Sequence, residues 1–204
     1  MKMIEAWSAI LALNQPVFRT DDVSQCLRVT RMNASKILSR LEDAEHIFHV
    51  NRGLWAVKGK ATLWDLAKYA TIPFPNYVSL QSALYHHGII SQIPQVVYVV
   101  SPGRTRVFRT PLGSISIHHV RPAFFCGYRR ISREGPLMAL KEKALIDFFY
   151  FHPAKSSLFR ALPEIELPEN FSIPRAKKFI SLIGSKRRRS MVTGLFNSLL
   201  SGHM

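Results

Sequence analysis

Compact or basic side chains share one face of the segment between Arg31 and Asp43. They are Met32, Asn33, Ser35, Lys36, Ser39 and Arg40, and Arg31 accompanies Asn33 in the first turn, the part of a recognition helix that usually goes deepest. At ~100° per residue of helix they lie opposite an apolar stripe of Ala34, Ile37, Leu38 and Leu41. Asparagine pairs bidentately with adenine, and arginine or lysine pairs with guanine or with phosphate. The pattern indicates a helix that presents this face to a nucleic-acid groove, although any amphipathic helix also has a polar face.

The surrounding sequence supplies the elements that would position such a helix. Thr20 is a good N-cap for a short helix that ends near Leu27, and Thr30 can cap the helix that begins at Arg31. Two short apolar runs, 47–50 and 54–57, then flank a turn that contains Arg52. This order predicts a winged helix-turn-helix that binds double-stranded DNA, with Arg52 at the tip of the wing.

Charge and composition agree with a polyanionic partner. The 204 residues have a formal net charge of +15 at pH 7, and 47% of them are hydrophobic, which is typical of a globular chain with a packed core. Residues 1–60 carry nine basic and six acidic side chains, whereas residues 61–204 carry 19 and seven. Most of the basic excess therefore lies outside the predicted winged helix.

Basic residues of the second half are therefore candidates for additional phosphate or partner contacts. They are Arg104, Arg106 and Arg109, on a predicted strand 104–110, and the run Lys186, Arg187, Arg188 and Arg189. Arg104 and Arg106 would share a face of a regular strand, and Arg109 would join them only with a bulge. A solvated linker between two helices is the equally favoured interpretation of the run 186–189.

The spacing of apolar residues and the positions of glycine and proline predict an α+β protein with two domains. Residues 1–70 form the winged helix-turn-helix domain, residues 71–76 form a proline-rich linker, and residues 77–204 form a mixed α/β domain. In the second domain we predict a helix 80–87 capped by Ser79, strands 96–100 and 114–120, and helices 136–151, 174–183 and 190–200.

Residue patterns for catalysis or metal binding are not found in the sequence. No Asp or Glu is followed two residues later by Lys, and neither Gly-Ser pair is followed by closely spaced acids. The pairs His86–His87 and His118–His119 would each diverge, and Glu142 and Asp147 would point apart on one helix. We expect Glu142 to form local ion pairs with its lysine neighbours. We therefore expect no catalytic residue, no metal and no cofactor.

Three segments of the second half resemble the AbiEi family of antitoxins. They are Tyr77 to Ile90, with Ser-Ala-Leu-x-x-His-Gly-Ile at its centre, Val96 to Val100, and Glu-Lys-Ala-Leu-Ile-Asp at 142–147. The resemblance implies a bacterial type IV toxin–antitoxin or abortive-infection system. It implies that the winged helix represses the protein's own operon and that the C-terminal domain counteracts a cognate nucleotidyltransferase toxin, with or without a direct complex. It assigns no catalytic residue.

Two alternatives remain at this point. One is a winged-helix transcriptional regulator whose second domain senses a ligand or oligomerises, without any toxin. The other is an enzyme acting on nucleic acid, against which the missing acidic triplets argue. Because no apolar run is long enough to span a bilayer and no basic-then-apolar signal segment opens the chain, we expect a cytoplasmic protein without a membrane partner.

Overall fold

The computed structural model describes residues 2–132, 135–152 and 164–202. Helices and strands both occur throughout these ranges, so the predicted α+β class is confirmed. The described residues pack into two compact units. The first comprises the residues up to Leu66 together with Arg109–Gly113, and the second comprises Ala67–Phe108 and the residues from Ser114 onwards. Residues 133–134, 153–163 and 203–204 of the predicted second domain lie outside the described residues.

The first unit contains three helices, a small antiparallel sheet and most of a fourth helix. Its elements are α1 (Met3–Ala12), β1 (Val17–Arg19), α2 (Thr20–Leu27), α3 (Arg31–Asp43), β2 (Ile47–Asn51), β3 (Leu54–Val57) and α4 (Leu63–Ala67). The strand order is β1-β3-β2, and a register shift interrupts the β2–β3 pairing between His49 and Asn51. Helix α3 has the bounds that its periodicity predicts.

Local chemistry sets the ends of α2 and α3. The hydroxyl of Thr30 accepts a hydrogen bond from the backbone N–H of Asn33 at 3.3 Å, so Thr30 is the predicted N-cap. The prediction that Thr20 is an N-cap is wrong, because Thr20 is the first residue of α2 and its Oγ1 accepts a hydrogen bond from the indole N–H of Trp55 at 3.0 Å. Instead the carboxylate of Asp22 accepts from the N–H of Arg19 at 2.6 Å and caps the helix.

Apolar side chains from α1, α2, α3 and the three strands of this unit form its core. The fully or nearly fully buried members include Ile10, Phe18, Val23, Ala34, Leu38, Leu41, Ile47, Trp55 and Val57. Burying an apolar side chain of this size stabilises the fold by about 1.5–3 kcal/mol. The apolar stripe of α3 faces this core. The opposite face of α3 is therefore exposed to solvent.

The second unit is organised around a mixed six-stranded sheet with the order β6-β7-β5-β4-β9-β8. The strands are β4 (Tyr77–Val78), β5 (Val97–Ser101), β6 (Arg106–Thr110), β7 (Gly113–His119), β8 (Tyr128–Arg130) and β9 (Leu137–Ala139), and the helices are α5 (Leu80–His86), α6 (Lys141–Phe151), α7 (Ile173–Ser181) and α8 (Lys186–Leu200). Strand β5 runs parallel to β7 and antiparallel to β4, and β4 runs parallel to β9.

The structure differs from the prediction at the start of the helix 136–151 and in the linker 71–76. The predicted helix 136–151 begins only at Lys141, because Leu137–Ala139 pairs with β8 on one side and with β4 on the other. The predicted linker 71–76 is folded as turns within the second unit, where the buried amide of Asn76 donates to the carbonyl of Ala67 at 2.9 Å. The division between the two compact units falls after Leu66, and the domain bounds of the sequence analysis stay a prediction.

Candidate nucleic-acid interface

The polar face of α3 is exposed along its whole length. Each residue assigned to it from the sequence is exposed to solvent: Arg31, Met32, Asn33, Ser35, Lys36, Ser39 and Arg40. On the opposite face Ala34, Leu38 and Leu41 have no exposed surface. Met32 is 67% exposed, although it is a large apolar side chain. An exposed methionine among basic and amide side chains provides apolar surface for a contact such as a thymine methyl group.

Arg31 is held in place by a neighbour that the sequence did not reveal. Its Nε lies 3.2 Å from Asp21 Oδ1 of α2, in an exposed ion pair. A Cβ placed on Gly53 would lie 3.6 Å from Arg31 Nη2, so the guanidinium also lies beside the turn between β2 and β3. The exposed pair contributes at most about 1 kcal/mol to stability. Arg31 thus lies between Asp21 of α2 and the hairpin turn.

The hairpin turn presents Arg52 to solvent on a short, fixed backbone. The side-chain carbonyl of Asn51 accepts a hydrogen bond from the Arg52 N–H at 2.7 Å, and Gly53 follows with φ of +69°. The carbonyl of Gly53 then accepts from the N–H of Thr20 at 3.0 Å, which ties the turn to the start of α2. Arg52 is therefore an exposed cation on an anchored turn, as a phosphate contact requires.

Trp55 belongs to the interior of the unit and offers no base-stacking surface. It is 8% exposed, and its ring packs edge-on against His49 with centroids 4.8 Å apart.

Close by in sequence, Lys58 and Glu45 form an exposed ion pair at 2.9 Å. The hydrogen bond and the charge of Lys58 lower the pKa of the Glu45 carboxyl.

The three arginines predicted on one strand of the second half do not act as one set. Strand β6 begins at Arg106, so Arg104 precedes it and the shared-face argument for Arg104 and Arg106 fails. Both nevertheless line one cavity of about 190 Å³, where Arg106 Nη2 donates to the carbonyl of Ala70 at 2.8 Å. Arg109, predicted on the second domain, belongs to a segment that groups with the first unit.

The basic run 186–189 is the first turn of α8 and not a linker. Ser185 caps this helix by accepting from the N–H of Arg188 at 3.4 Å, which the sequence analysis missed because it began the helix at Ser190. Arg188 is half-buried and donates to the carbonyl of Tyr150 at 2.7 Å, and Arg189 donates to that of Ile183 at 2.9 Å. Of the run 186–189, only Lys186 and Arg187 are exposed to solvent.

A buried polar cluster is the largest feature that sequence reasoning missed. It consists of Tyr77, Ser79, Lys143 and Asp147, each without exposed surface. Asp147 Oδ2 accepts from the Ser79 hydroxyl at 2.8 Å and from the Tyr77 hydroxyl at 3.0 Å, and its Oδ1 pairs with the Lys143 ammonium. Lys143 also donates to Tyr77 Oη at 2.9 Å. Burial and the adjacent Asp147 raise the pKa of Tyr77 well above its usual value, so the phenol keeps its proton.

The surroundings of this buried polar cluster make it a structural feature. The Lys143 ammonium lies 3.8 Å from the centroid of the Phe124 ring, and Tyr77 stacks on Tyr128 with centroids 4.9 Å apart. Ser79 precedes α5 as predicted, but its hydroxyl is engaged by Asp147 and does not cap the helix. The spacing of Lys143 and Asp147, one helical turn apart in an apolar helix, was the available signal.

Glu142 also differs from its prediction. Its carboxylate is buried, and Oε1 accepts from the backbone N–H of Ser172 at 3.1 Å and lies 3.4 Å from Arg175 Nη1. It therefore joins α6 to the start of α7, and it does not pair with Lys141 or Lys143 as expected. The negative charge at the start of α7 is favourable because helix N-termini carry partial positive charge.

The histidine pairs have separate structural roles. His118 packs against Phe151 with ring centroids 5.0 Å apart, and its Nε2 lies 3.0 Å from Ser116 Oγ. The Nδ1 of His119 lies 3.0 Å from the carbonyl oxygen of Gly103.

Among the described residues no group of three or more His, Cys, Asp or Glu side chains could hold a metal ion. In the same part of the chain, no helix combines the length and apolarity needed to cross a membrane.

Comparison with known protein families finds no matching family model, and comparison with curated proteins finds no match either.

Proposed function

We propose that the first unit is a winged helix-turn-helix domain that binds double-stranded DNA, and that the protein is an antitoxin that represses its own operon. The observation that carries the DNA-binding part is the division of α3. Ala34, Leu38 and Leu41 of its apolar stripe are fully buried and Ile37 is partly buried, whereas its basic and amide side chains are exposed together. In this proposal α3 enters the major groove, and Arg52 contacts the adjacent backbone or minor groove.

The exposed residues divide into two kinds of contact. Lys36, Arg40 and Arg52 supply charge to phosphates and so contribute affinity that falls with salt. Asn33 lies in the first turn of α3, where side chains reach deepest into the groove, and its amide suits adenine. Arg31 is already paired with Asp21 and lies beside the hairpin turn, so we assign it to a backbone contact that sets the position of α3.

The antitoxin part of the proposal depends on the resemblance of residues 77–90, 96–100 and 142–147 to the AbiEi family. In the structure these segments supply β4, α5, β5 and the first half of α6. They also supply all four members of the buried polar cluster. The resembling residues therefore build the framework of the second unit, which supports a shared fold more directly than a shared partner.

DNA binding is tested with the full chain and the DNA upstream of its own gene, by fluorescence anisotropy at several salt concentrations. Replacing Lys36, Arg40 or Arg52 by alanine should weaken binding and lower the salt slope by about one for each phosphate that the variant no longer neutralises. Lys60→Ala removes the same charge outside α3 and the hairpin turn and is the matched control. Asn33→Ala should instead reduce discrimination against a scrambled site, by about 1–3 kcal/mol. Unchanged affinity in the triple variant K36A/R40A/R52A would contradict the proposal.

The antitoxin activity requires a separate test. The full chain is co-expressed with a nucleotidyltransferase encoded beside it, and growth is measured. The native chain should restore growth, and the variant K36A/R40A should restore it equally while repression of the operon is abolished. If growth is not restored by the native chain, the alternative of a transcriptional regulator without a toxin is favoured.

A further inference from the structure

A basic cavity of about 290 Å³ opens on the second unit at the end of α5 and beside strand β8. The residues that matter for its chemistry are His86, His87, Arg129 and Arg130, with Met138 and Ala139 completing much of the wall. Two arginines and two histidines therefore line the same space, and Nη1 of Arg130 also donates to the carbonyl of Gly135 at 3.2 Å. No acidic side chain is among its described lining residues. We call this space the basic cavity.

Backbone structure fixes the positions of these side chains. The Nε2–H of His87 donates to the carbonyl of Ala139 at 2.8 Å, which ties the end of α5 to β9. Strand β8 pairs antiparallel with β9, with Arg129 opposite Met138 and Arg130 opposite Leu137. Gly88 follows with φ of +68°, so the chain turns away directly after His87. The basic cavity is thus built by three paired or bonded elements of one unit.

The positive charges at the basic cavity are not balanced by an acidic side chain among its described lining residues. Burial lowers the pKa of His87, and the positive charges of His86, Arg129 and Lys141 lower it further. These cations come from α5, β8 and the start of α6. These positive charges repel one another. Each of them would attract an anion bound in the basic cavity.

We propose that the basic cavity binds a phosphate dianion, either free or as the phosphate group of a small metabolite. Arginine presents a planar fork of donors that fits phosphate oxygens bidentately, and two arginines supply the two charges that neutralise a dianion. A volume of about 290 Å³ is at the small end of ligand cavities, and it has room for a phosphate group together with part of a small metabolite. The proposal is independent of DNA binding, and it would give the second unit the ligand-sensing role that the sequence leaves open.

His87 provides a local reporter of binding. With Nε2–H committed to the carbonyl of Ala139, the second proton of the imidazolium is carried by Nδ1. A phosphate beside the ring favours the charged form and opposes the effect of the neighbouring cations. Binding in the basic cavity should therefore raise the pKa of His87, whereas phosphate bound elsewhere on this basic protein should leave it unchanged.

The test uses the full chain and inorganic phosphate at constant ionic strength, with affinity from calorimetry and the pKa of His87 from NMR. The variant R129Q/R130Q should bind phosphate about tenfold more weakly or worse, because removing one charge-assisted hydrogen bond corresponds to roughly that factor. The variant R28Q/R121Q removes the same charge from exposed arginines that are assigned to no ligand contact, and it should bind like the native chain. Equal affinities for the two variants would overturn the proposal.

A second measurement does not depend on how the variants fold. In the native chain, phosphate should raise the pKa of His87 relative to chloride at the same ionic strength, and an unmoved pKa would overturn the proposal. Adenosine monophosphate and adenosine distinguish the sources of the dianion. If the nucleotide binds more tightly than inorganic phosphate and adenosine does not bind, the ligand is a phosphorylated metabolite; if the nucleotide binds no better, it is free phosphate.

Discussion

Lys143 and Asp147 form an ion pair one turn apart on α6, and neither side chain has any exposed surface. Two hydroxyl groups, from Tyr77 and Ser79, complete the coordination of the carboxylate. Removing two charges from water costs several kcal/mol per ion, and such a pair is tolerated only where hydrogen bonds satisfy the remaining polar atoms. The cluster therefore connects β4, the start of α5 and α6 at one point in the second unit.

Removing one partner of the Lys143–Asp147 ion pair should lower the free energy of unfolding strongly, whereas replacing both partners by apolar residues should lower it much less. Asp147→Asn leaves the Lys143 ammonium buried without a counter-charge, and we expect a decrease of about 3–5 kcal/mol in the free energy of unfolding. The double variant K143M/D147L should recover much of that decrease because it leaves no buried charge. Urea unfolding followed by circular dichroism measures both. The exposed pair of Lys58 and Glu45 is the control, and Lys58→Ala should cost less than about 1 kcal/mol.

Substitution of two glycines by alanine should have opposite effects on stability. Gly53 has φ of +69°, so Gly53→Ala places a side chain in the left-handed region and should cost about 1–2 kcal/mol. Gly194 lies inside α8 with open space around the position of a Cβ, so Gly194→Ala should stabilise by about 0.5–1 kcal/mol. Chemical unfolding of the two variants compares them directly. A stabilising effect of Gly53→Ala would contradict the backbone assignment of the hairpin turn.

Burial of His118 should make the protein less stable in mild acid. Burial lowers the pKa of His118 from 6.5 to about 4, so between these values the unfolded chain binds a proton that the folded chain does not. The contribution of neutral His118 to the free energy of unfolding is fully present above about pH 6.5. It decreases as the pH drops and is lost below about pH 4. The full effect is about 3 kcal/mol. Unfolding free energies measured from pH 7.5 to 4 should fall less steeply in His118→Phe than in the native chain. His119→Gln keeps His118 and should retain the native slope.

The arginines at the start of α8 should separate into structural and solvent-facing residues. Arg188→Ala removes a hydrogen bond to the carbonyl of Tyr150 and the stacking of the guanidinium 4.8 Å from the Tyr150 ring centroid. We expect a decrease of about 1–2 kcal/mol in the free energy of unfolding, because the group is only half-buried. Arg187→Ala, one residue away and exposed, should change stability by less than about 0.5 kcal/mol. Equal decreases in the two variants would contradict this assignment.

Local patterns predicted those elements whose structure depends on local interactions. Helix α3 follows from its apolar spacing and from Thr30, whose hydroxyl bonds a backbone group three residues away. The predictions for Thr20 and Ser79 failed because their hydroxyls bond to Trp55 and Asp147, which are 35 and 68 residues distant in the chain. Strand β9 was predicted as helix because its conformation depends on two neighbouring strands. The exposed face of the candidate interface was thus readable from sequence, whereas the buried polar cluster and the basic cavity depend on tertiary contacts.

The order of the six-stranded sheet places β6 at one margin and β8 at the other. Each of these strands carries two exposed arginines, Arg106 and Arg109 on β6 and Arg129 and Arg130 on β8. If the sheets of two molecules joined at these margins, arginine would be brought against arginine in every pairing. Such repulsion disfavours the joining of open sheet edges that leads to aggregation. The positive charge of these strands therefore disfavours edge-to-edge association of two copies of the sheet.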